Sequence, residues 1–127
     1  MMTTTVSLEL AKELWELGLK IETEKWWIIY DKEWECVYIE SKEELADTNN
    51  YYPAYSADEL VAILPARMAG VGLLKIYKLE DEYDVTYASI YPQTHSILCE
   101  ALGLMCKFLL QNGFEFNGKE IVRKGEK

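Results

Sequence analysis

One segment limits the possible folds more than any other: Ile97 to Leu110 is apolar on nearly every side. It lies within a predicted helix running from about Thr94 to Asn112. Only Glu100, Gly103, Lys107 and Gln111 form a polar or empty stripe there, at spacings of three, four and four. Such a helix is mostly buried, and it is expected to fill the centre of the helical face of a sheet. Gly113 follows the last periodic residue and closes the helix in the left-handed conformation. The segment contains Glu100 and Lys107 and is too short to span a bilayer, so it reads as the centre of a soluble core.

The chain has 127 residues, enough for one domain around such a helix. Ser7 is an N-cap for a first helix, Leu8 to Leu17, with Leu10, Leu14 and Leu17 beside Leu8, Ala11 and Trp15. Gly18 ends it. Lys25 to Tyr30 is rich in strand formers and returns through Asp31-Lys32-Glu33 as a second strand, Trp34 to Ile39. If Tyr30 opposes Trp34, then Trp26, Tyr30, Trp34 and Tyr38 share one face. Core packing is the favoured reading of those rings over base stacking. Large apolar residues at both parities predict that both faces are covered.

Ser41 to Tyr55 is the least regular stretch. Ser41 to Glu44 starts a short helical turn that Thr48-Asn49-Asn50 ends, and Tyr51 to Tyr55 is extended around Pro53. Ser56-Ala57-Asp58-Glu59 is a capping box, opening a helix that Pro65 stops. A second hairpin follows, Val71 to Leu79 and Tyr83 to Tyr91 across Glu80-Asp81-Glu82. If Leu79 faces Tyr83, Lys78 faces Asp84. Pro92 breaks the second strand. The expected fold is therefore α+β: order α-β-β-α-β-β-α, one four-stranded, largely antiparallel sheet from two hairpins, and helices packed on one face. The domain spans 1–127, with an ordered core over about 7–116. The polar residues 117–127 fray.

Composition narrows the function. The net charge is -9, from 13 basic and 22 acidic residues. Proteins that track phosphate gain affinity through Lys and Arg, so nucleic acid is not an expected partner, and neither is an anionic membrane. The N-terminus, Met1 to Thr5, lacks the basic start and apolar stretch of a signal peptide, which points to the cytoplasm. Cys36, Cys99 and Cys106 show no disulfide spacing; Cys99 and Cys106, two helical turns apart, would have Cα atoms about 10 Å apart. All three read as reduced thiols.

No residue set carries an enzyme signature. His95 is the only histidine, and with Cys99 four positions on it offers two ligands where zinc needs three or four. The same two residues make a Cys–His pair with no orienting third group. Gly70-Val71-Gly72 precedes a strand and is no phosphate loop. No metal, cofactor or catalytic residue is expected. Tyr51, Tyr52 and Tyr55 are the one candidate partner surface, because tyrosines in a loop suit interface anchors.

The order of these pieces resembles a known group. A helix ending in Leu14-Trp15-Glu16-Leu17-Gly18 leads into an aromatic strand. Pro53-Ala54-Tyr55-Ser56-Ala57-Asp58-Glu59-Leu60 follows, with Leu64-Pro65, and the last helix ends in Leu109-Leu110-Gln111-Asn112-Gly113. Across most of residues 7–113 the chain is similar to short proteins encoded by bacteriophages and prophages. That group has no assigned activity, so the resemblance implies an origin and no chemistry. The resulting expectation is a non-enzymatic accessory domain acting by protein–protein contact. The alternatives are an acidic decoy of a nucleic-acid-binding protein, and a small enzyme or ligand binder with a pocket between sheet and helices.

Overall fold

The computed structural model describes residues 5–30, 32–38, 51–68, 70–88 and 90–125. In chain order the elements are α1 (Leu8–Glu16), β1 (Lys25–Tyr30), β2 (Glu33–Tyr38), β3 (Tyr51–Pro53), α2 (Ala57–Ile63), β4 (Arg67–Met68), β5 (Gly72–Leu73), β6 (Lys75–Lys78), β7 (Tyr83–Tyr87), β8 (Ile90–His95), α3 (Leu98–Gln111), β9 (Phe114–Phe116) and β10 (Ile121–Arg123). The helical turn expected at Ser41 to Asn50 lies outside the described residues.

Helix α3 is the centre, as its all-round apolar sequence demands. Cys99, Ala101, Leu102, Met105, Cys106, Leu109 and Leu110 are all buried in one cluster. The helix touches α1, α2, β7, β8, β9 and β10. It begins at Leu98 rather than near Thr94, because β8 continues through His95. Ile97 stands at its N-cap and supplies no side-chain bond.

The polar stripe of α3 turns out to be its contact with α1. The Ser7 N–H donates to the Glu100 carboxylate. Gly103 is buried beneath Leu10 and Val6, and Lys107 pairs with Glu13. Ser7, Leu10 and Glu13 thus meet Glu100, Gly103 and Lys107 in the same order, so the two helices run parallel. Glu100 does for α1 what the third residue of a capping box does, binding the N-cap N–H from another element. The Ser7 hydroxyl accepts from Leu10 N at 3.3 Å, completing the cap. At α2 the local capping box forms as expected, with Ser56 N donating to Glu59 Oε1 at 2.8 Å and Glu59 N to Ser56 Oγ at 3.2 Å.

The mixed α+β class holds, but the single four-stranded sheet does not. The described strands form two three-stranded antiparallel sheets, β2-β1-β3 and β6-β7-β8, and two two-stranded ones, β4-β5 and β9-β10. Each expected hairpin recruits its own third strand instead of joining the other. For the first sheet that strand is β3, from a stretch read as irregular. For the second it is β8, which passes through Pro92. β8 is a sheet edge, where a missing N–H is tolerable, and Pro92 sits at a register shift between the Val85–Gln93 and Tyr87–Ile90 pairs. The element order therefore also departs from α-β-β-α-β-β-α, and among the described residues no common sheet lies under the helices.

Both hairpins differ by one residue from the registers considered above. Tyr30 pairs with Glu33, and Lys32 takes φ 75° in the tight turn. Trp34 consequently pairs with Ile29, and Trp34 and Trp26 lie on opposite faces. Trp27 packs on the main core, and its Nε1 donates to Val6 O at 3.1 Å. Trp26 and Ile28 form a separate cluster with Val37 on the other face. In the second hairpin Lys78 pairs with Tyr83, and Leu79 N donates to Glu82 O at 2.8 Å. Tyr77, not Lys78, then faces Asp84, whose carboxylate accepts from Thr94 Oγ1 at 2.6 Å.

The tail expected to fray from residue 117 forms a turn and a short strand. Asn117 Oδ1 accepts from Lys119 N and Glu120 N, both at 2.9 Å, and Gly118 takes φ 100°. This Asn-Gly turn folds β10 back on β9 and buries Ile121 completely.

Candidate functional site

The three tyrosines proposed as a recognition surface do not share one. Tyr55 is fully buried, and its hydroxyl donates to Leu19 O at 2.5 Å. Burial, with smaller contributions from Cys106 and Glu59, pushes its phenol well above the ordinary range. Tyr55 is a core residue and no anchor for a partner. Tyr52 is half-buried in β3, 5.9 Å from the Trp34 ring, and the Lys12 ammonium lies over both rings at 5.6 and 5.0 Å. Only Tyr51 is exposed, standing edge-on to Trp26 with 5.5 Å between ring centroids. The alternation of β3 explains the split of the neighbouring pair, since adjacent strand residues point to opposite faces.

The structure also separates His95 from the cysteine that the sequence pairs it with. His95 ends β8 and is not helical. Its Nδ1 accepts the Ile97 N–H at 3.0 Å, so the neutral ring carries its proton on Nε2. Cys99 is buried in the first turn of α3. Its thiol is pushed up to about 11, first by burial and then by the Glu100 carboxylate. Neither Cys99 nor the wholly buried Cys106 is an available nucleophile. Among the described residues the three cysteines form no disulfide. No group of three or more His, Cys, Asp or Glu among them could hold a metal ion.

Instead His95 and Cys36 line the same groove. An open groove of about 630 Å³ runs between residues 5–7, the first sheet and the junction of β8 with α3. Its walls include Trp27, Lys25, Cys36, His95 and Glu100. Cys36 Sγ is 3.7 Å from Thr5 Oγ1. Several of these polar groups already serve the fold: Glu100 caps α1, and His95 takes the N–H at the start of α3.

A different surface is more distinctive. Six large hydrophobic side chains are exposed among the described residues, and four of them fall within seven positions. They are Leu73 at 52%, Ile76 at 42%, Tyr77 at 48% and Leu79 at 43% exposure. Scattered apolar side chains on a surface are ordinary; a run of them on one arm is not. Every residue of β6 is exposed, so both faces of this strand stand clear of the core. No protein-family model matches this chain, and neither does any curated protein or solved structure. The arm is therefore read on its own chemistry. It is a short strand with apolar groups on both faces, one edge paired to β7, and Lys75 and Lys78 at its ends. Among the described residues neither lysine is ion-paired.

The arm is not legible in the sequence, for a physical reason. Leu73 to Leu79 is apolar at both parities, which is also how a strand buried on both faces reads. The lysines at positions 75 and 78 were the available signal, because lysine is frequent on exposed strand edges. No helix of the described residues is long and apolar enough to cross a membrane.

Proposed function

We propose that the chain is a non-enzymatic accessory domain, phage or prophage encoded, that acts by contact with another protein. The contact is made through the Leu73–Leu79 arm rather than through Tyr51, Tyr52 and Tyr55. One observation carries this reading: four of the six large hydrophobic side chains exposed among the described residues are gathered on that arm. Burying such a cluster under a partner supplies the apolar centre that specific interfaces share, and the flanking lysines and carboxylates form a polar rim. The phage origin is supported by the resemblance over residues 7–113 alone.

The test is affinity capture from a host lysate with the parent chain and with Leu73→Ser and Tyr77→Ser variants. The expected result is a specific retained protein that both variants lose while their melting temperatures stay near the parent value. Retention unchanged in both folded variants would exclude the arm as the contact.

A second reading follows from the groove beside Trp27. Its size and its mix of aromatic and polar walls suit a small ligand. A fragment screen followed by amide NMR would support it if shifts cluster at Cys36, His95 and Ile97. Fragments that shift no residue of that groove would count against it.

A further inference from the structure

We infer that the outer edge of β6 accepts an extended segment of the partner as an added antiparallel strand, and that this segment carries carboxylates opposite Lys75 and Lys78. The inference deepens the arm reading and rests on it. β6 is the end strand of the β6-β7-β8 sheet. The Leu79–Glu82 backbone bond fixes which residues bond to β7. Because hydrogen-bonded pairs alternate in an antiparallel ladder, Tyr77 and Lys75 spend their backbone groups on Asp84 and Thr86. The N–H and C=O of Ile76 and Lys78 then point away from the sheet. The Leu74 N–H points the same way and is bound to Ala66 O at 2.8 Å. This outer line is thus already a strand-pairing line at β5, where β4 runs antiparallel beside it. Among the described residues no strand continues that line past Leu74. A guest strand extending the β4 line beside Ile76–Lys78 completes it.

Charge selects the guest. Lys75 and Lys78 are exposed, and neither is paired with a carboxylate among the described residues. Glu80, Asp81 and Glu82 follow in the exposed turn. An antiparallel guest read from its N-terminus therefore runs basic, apolar, acidic, apolar, apolar, acidic. A second copy of this chain fits poorly. Each copy carries a net charge of -9, and setting Ile76 against Tyr77 across the joint sets Lys75 against Lys78. Recognition of this kind takes affinity from main-chain bonds and specificity from alternate side chains.

The experiment uses amide NMR on the full chain with a capped synthetic peptide, Lys-Val-Glu-Val-Val-Glu, and its charge-reversed counterpart, Glu-Val-Lys-Val-Val-Lys. The first peptide should shift the Ile76 and Lys78 amides and slow their exchange with solvent. The reversed peptide should bind about tenfold more weakly. In the Lys75→Glu, Lys78→Glu double variant that preference should invert, and methylating the guest amides that face β6 should abolish binding. The inference falls if neither peptide moves those amides, or if both bind equally. It also falls if the amides gain protection with protein concentration alone, since the guest would then be a second copy. Loss of the captured protein in the Leu73→Ser and Tyr77→Ser variants, with no peptide response, would leave the docking arm standing and remove strand addition. Retention of that protein by both variants would remove the arm itself.

Discussion

Gly103→Ala is the sharpest test of how the two parallel helices meet. A Cβ built on Gly103 would lie 2.6 Å from Leu10 Cδ2 and 3.2 Å from Val6 Cγ1. Carbon atoms in good contact sit about 3.5–4.0 Å apart, so Leu10 must retreat by roughly 1 Å. Two effects oppose each other. Alanine gains about 1 kcal/mol over glycine in a helix interior. Overpacking a filled core costs typically about 1–3 kcal/mol. The clashing atom is the end of a flexible side chain, which keeps the strain toward the middle of that range, but Leu10 is buried and has little room to turn. The expected net result is a loss of about 1 kcal/mol for Gly103→Ala, and roughly 3 kcal/mol for Gly103→Leu, whose branches have nowhere to go. Urea unfolding followed by tryptophan fluorescence measures both. The decisive variant is the pair Gly103→Ala with Leu10→Ala. Leu10→Ala alone should cost about 2–5 kcal/mol, and the pair should cost less than the sum by about 1–2 kcal/mol, because removing Leu10 removes the clash. A Gly103→Ala protein as stable as the parent, with an additive double variant, would refute the close approach.

The tyrosines separate by burial: Tyr55→Phe should lose about 1–3 kcal/mol, because the buried Leu19 carbonyl loses its donor. Tyr51→Ala should lose no more than about 1.5 kcal/mol, the worth of an aromatic pair, by chemical denaturation. In alkali, the folded state holds the Cys99 proton more tightly than the unfolded chain does. Its contribution is complete below about pH 9 and is lost as the pH rises through about 11. That loss is on the order of 2–3 kcal/mol, and Cys99→Ala should flatten the decline in a stability–pH series. Burial pushes the Cys106 thiol up too, so the variant keeps part of the slope. Ending the chain after Phe116 should cost at least about 2 kcal/mol, since the fully buried Ile121 is lost and Phe114 is uncovered, and a melting scan unchanged by the truncation would contradict this.

Local signals in the sequence were legible wherever one residue and its near neighbours decide the outcome. Ser7 and the Ser56–Glu59 box cap their helices, and Gly113 takes φ 91° beyond the last one. Decisions that need two distant segments were not legible. Glu100, Gly103 and Lys107 look like a water-facing stripe until Ser7, Leu10 and Glu13 are laid against them. Pro92 reads as a break because a proline costs a ladder bond, yet on an edge strand that bond does not exist to lose. The Asn117-Gly118 pair is a turn signal at a position that composition alone marks as a frayed end. What decided otherwise was Ile121, a single apolar residue with a hole to fill beside Phe114 and the core.

The arm and the buried tyrosine show why an exposed apolar surface is harder to read than a core. Tyr55 and Tyr77 are the same residue type, each in an extended segment between one apolar and one polar neighbour. One is fully buried and the other nearly half exposed. The difference lies in what stands opposite. Tyr55 falls where residues 5–6 return across the chain, with Val6 N bonded to Tyr55 O at 2.9 Å, its ring lies in the main core cluster, and its hydroxyl reaches Leu19 O. Tyr77 falls on β6, the outer strand of its sheet, while the neighbouring β7 is the strand that packs on α3. Its strand neighbours Ile76 and Lys78 are exposed for the same reason. An uncovered apolar group forgoes about 25 cal/mol for each Å² left in water. That loss is shared by Leu73, Ile76, Tyr77 and Leu79 together. A polar replacement at any of them would remove it at no cost to the core, since none of the four belongs to the buried cluster. Their shared exposure is the observation on which the proposed contact rests.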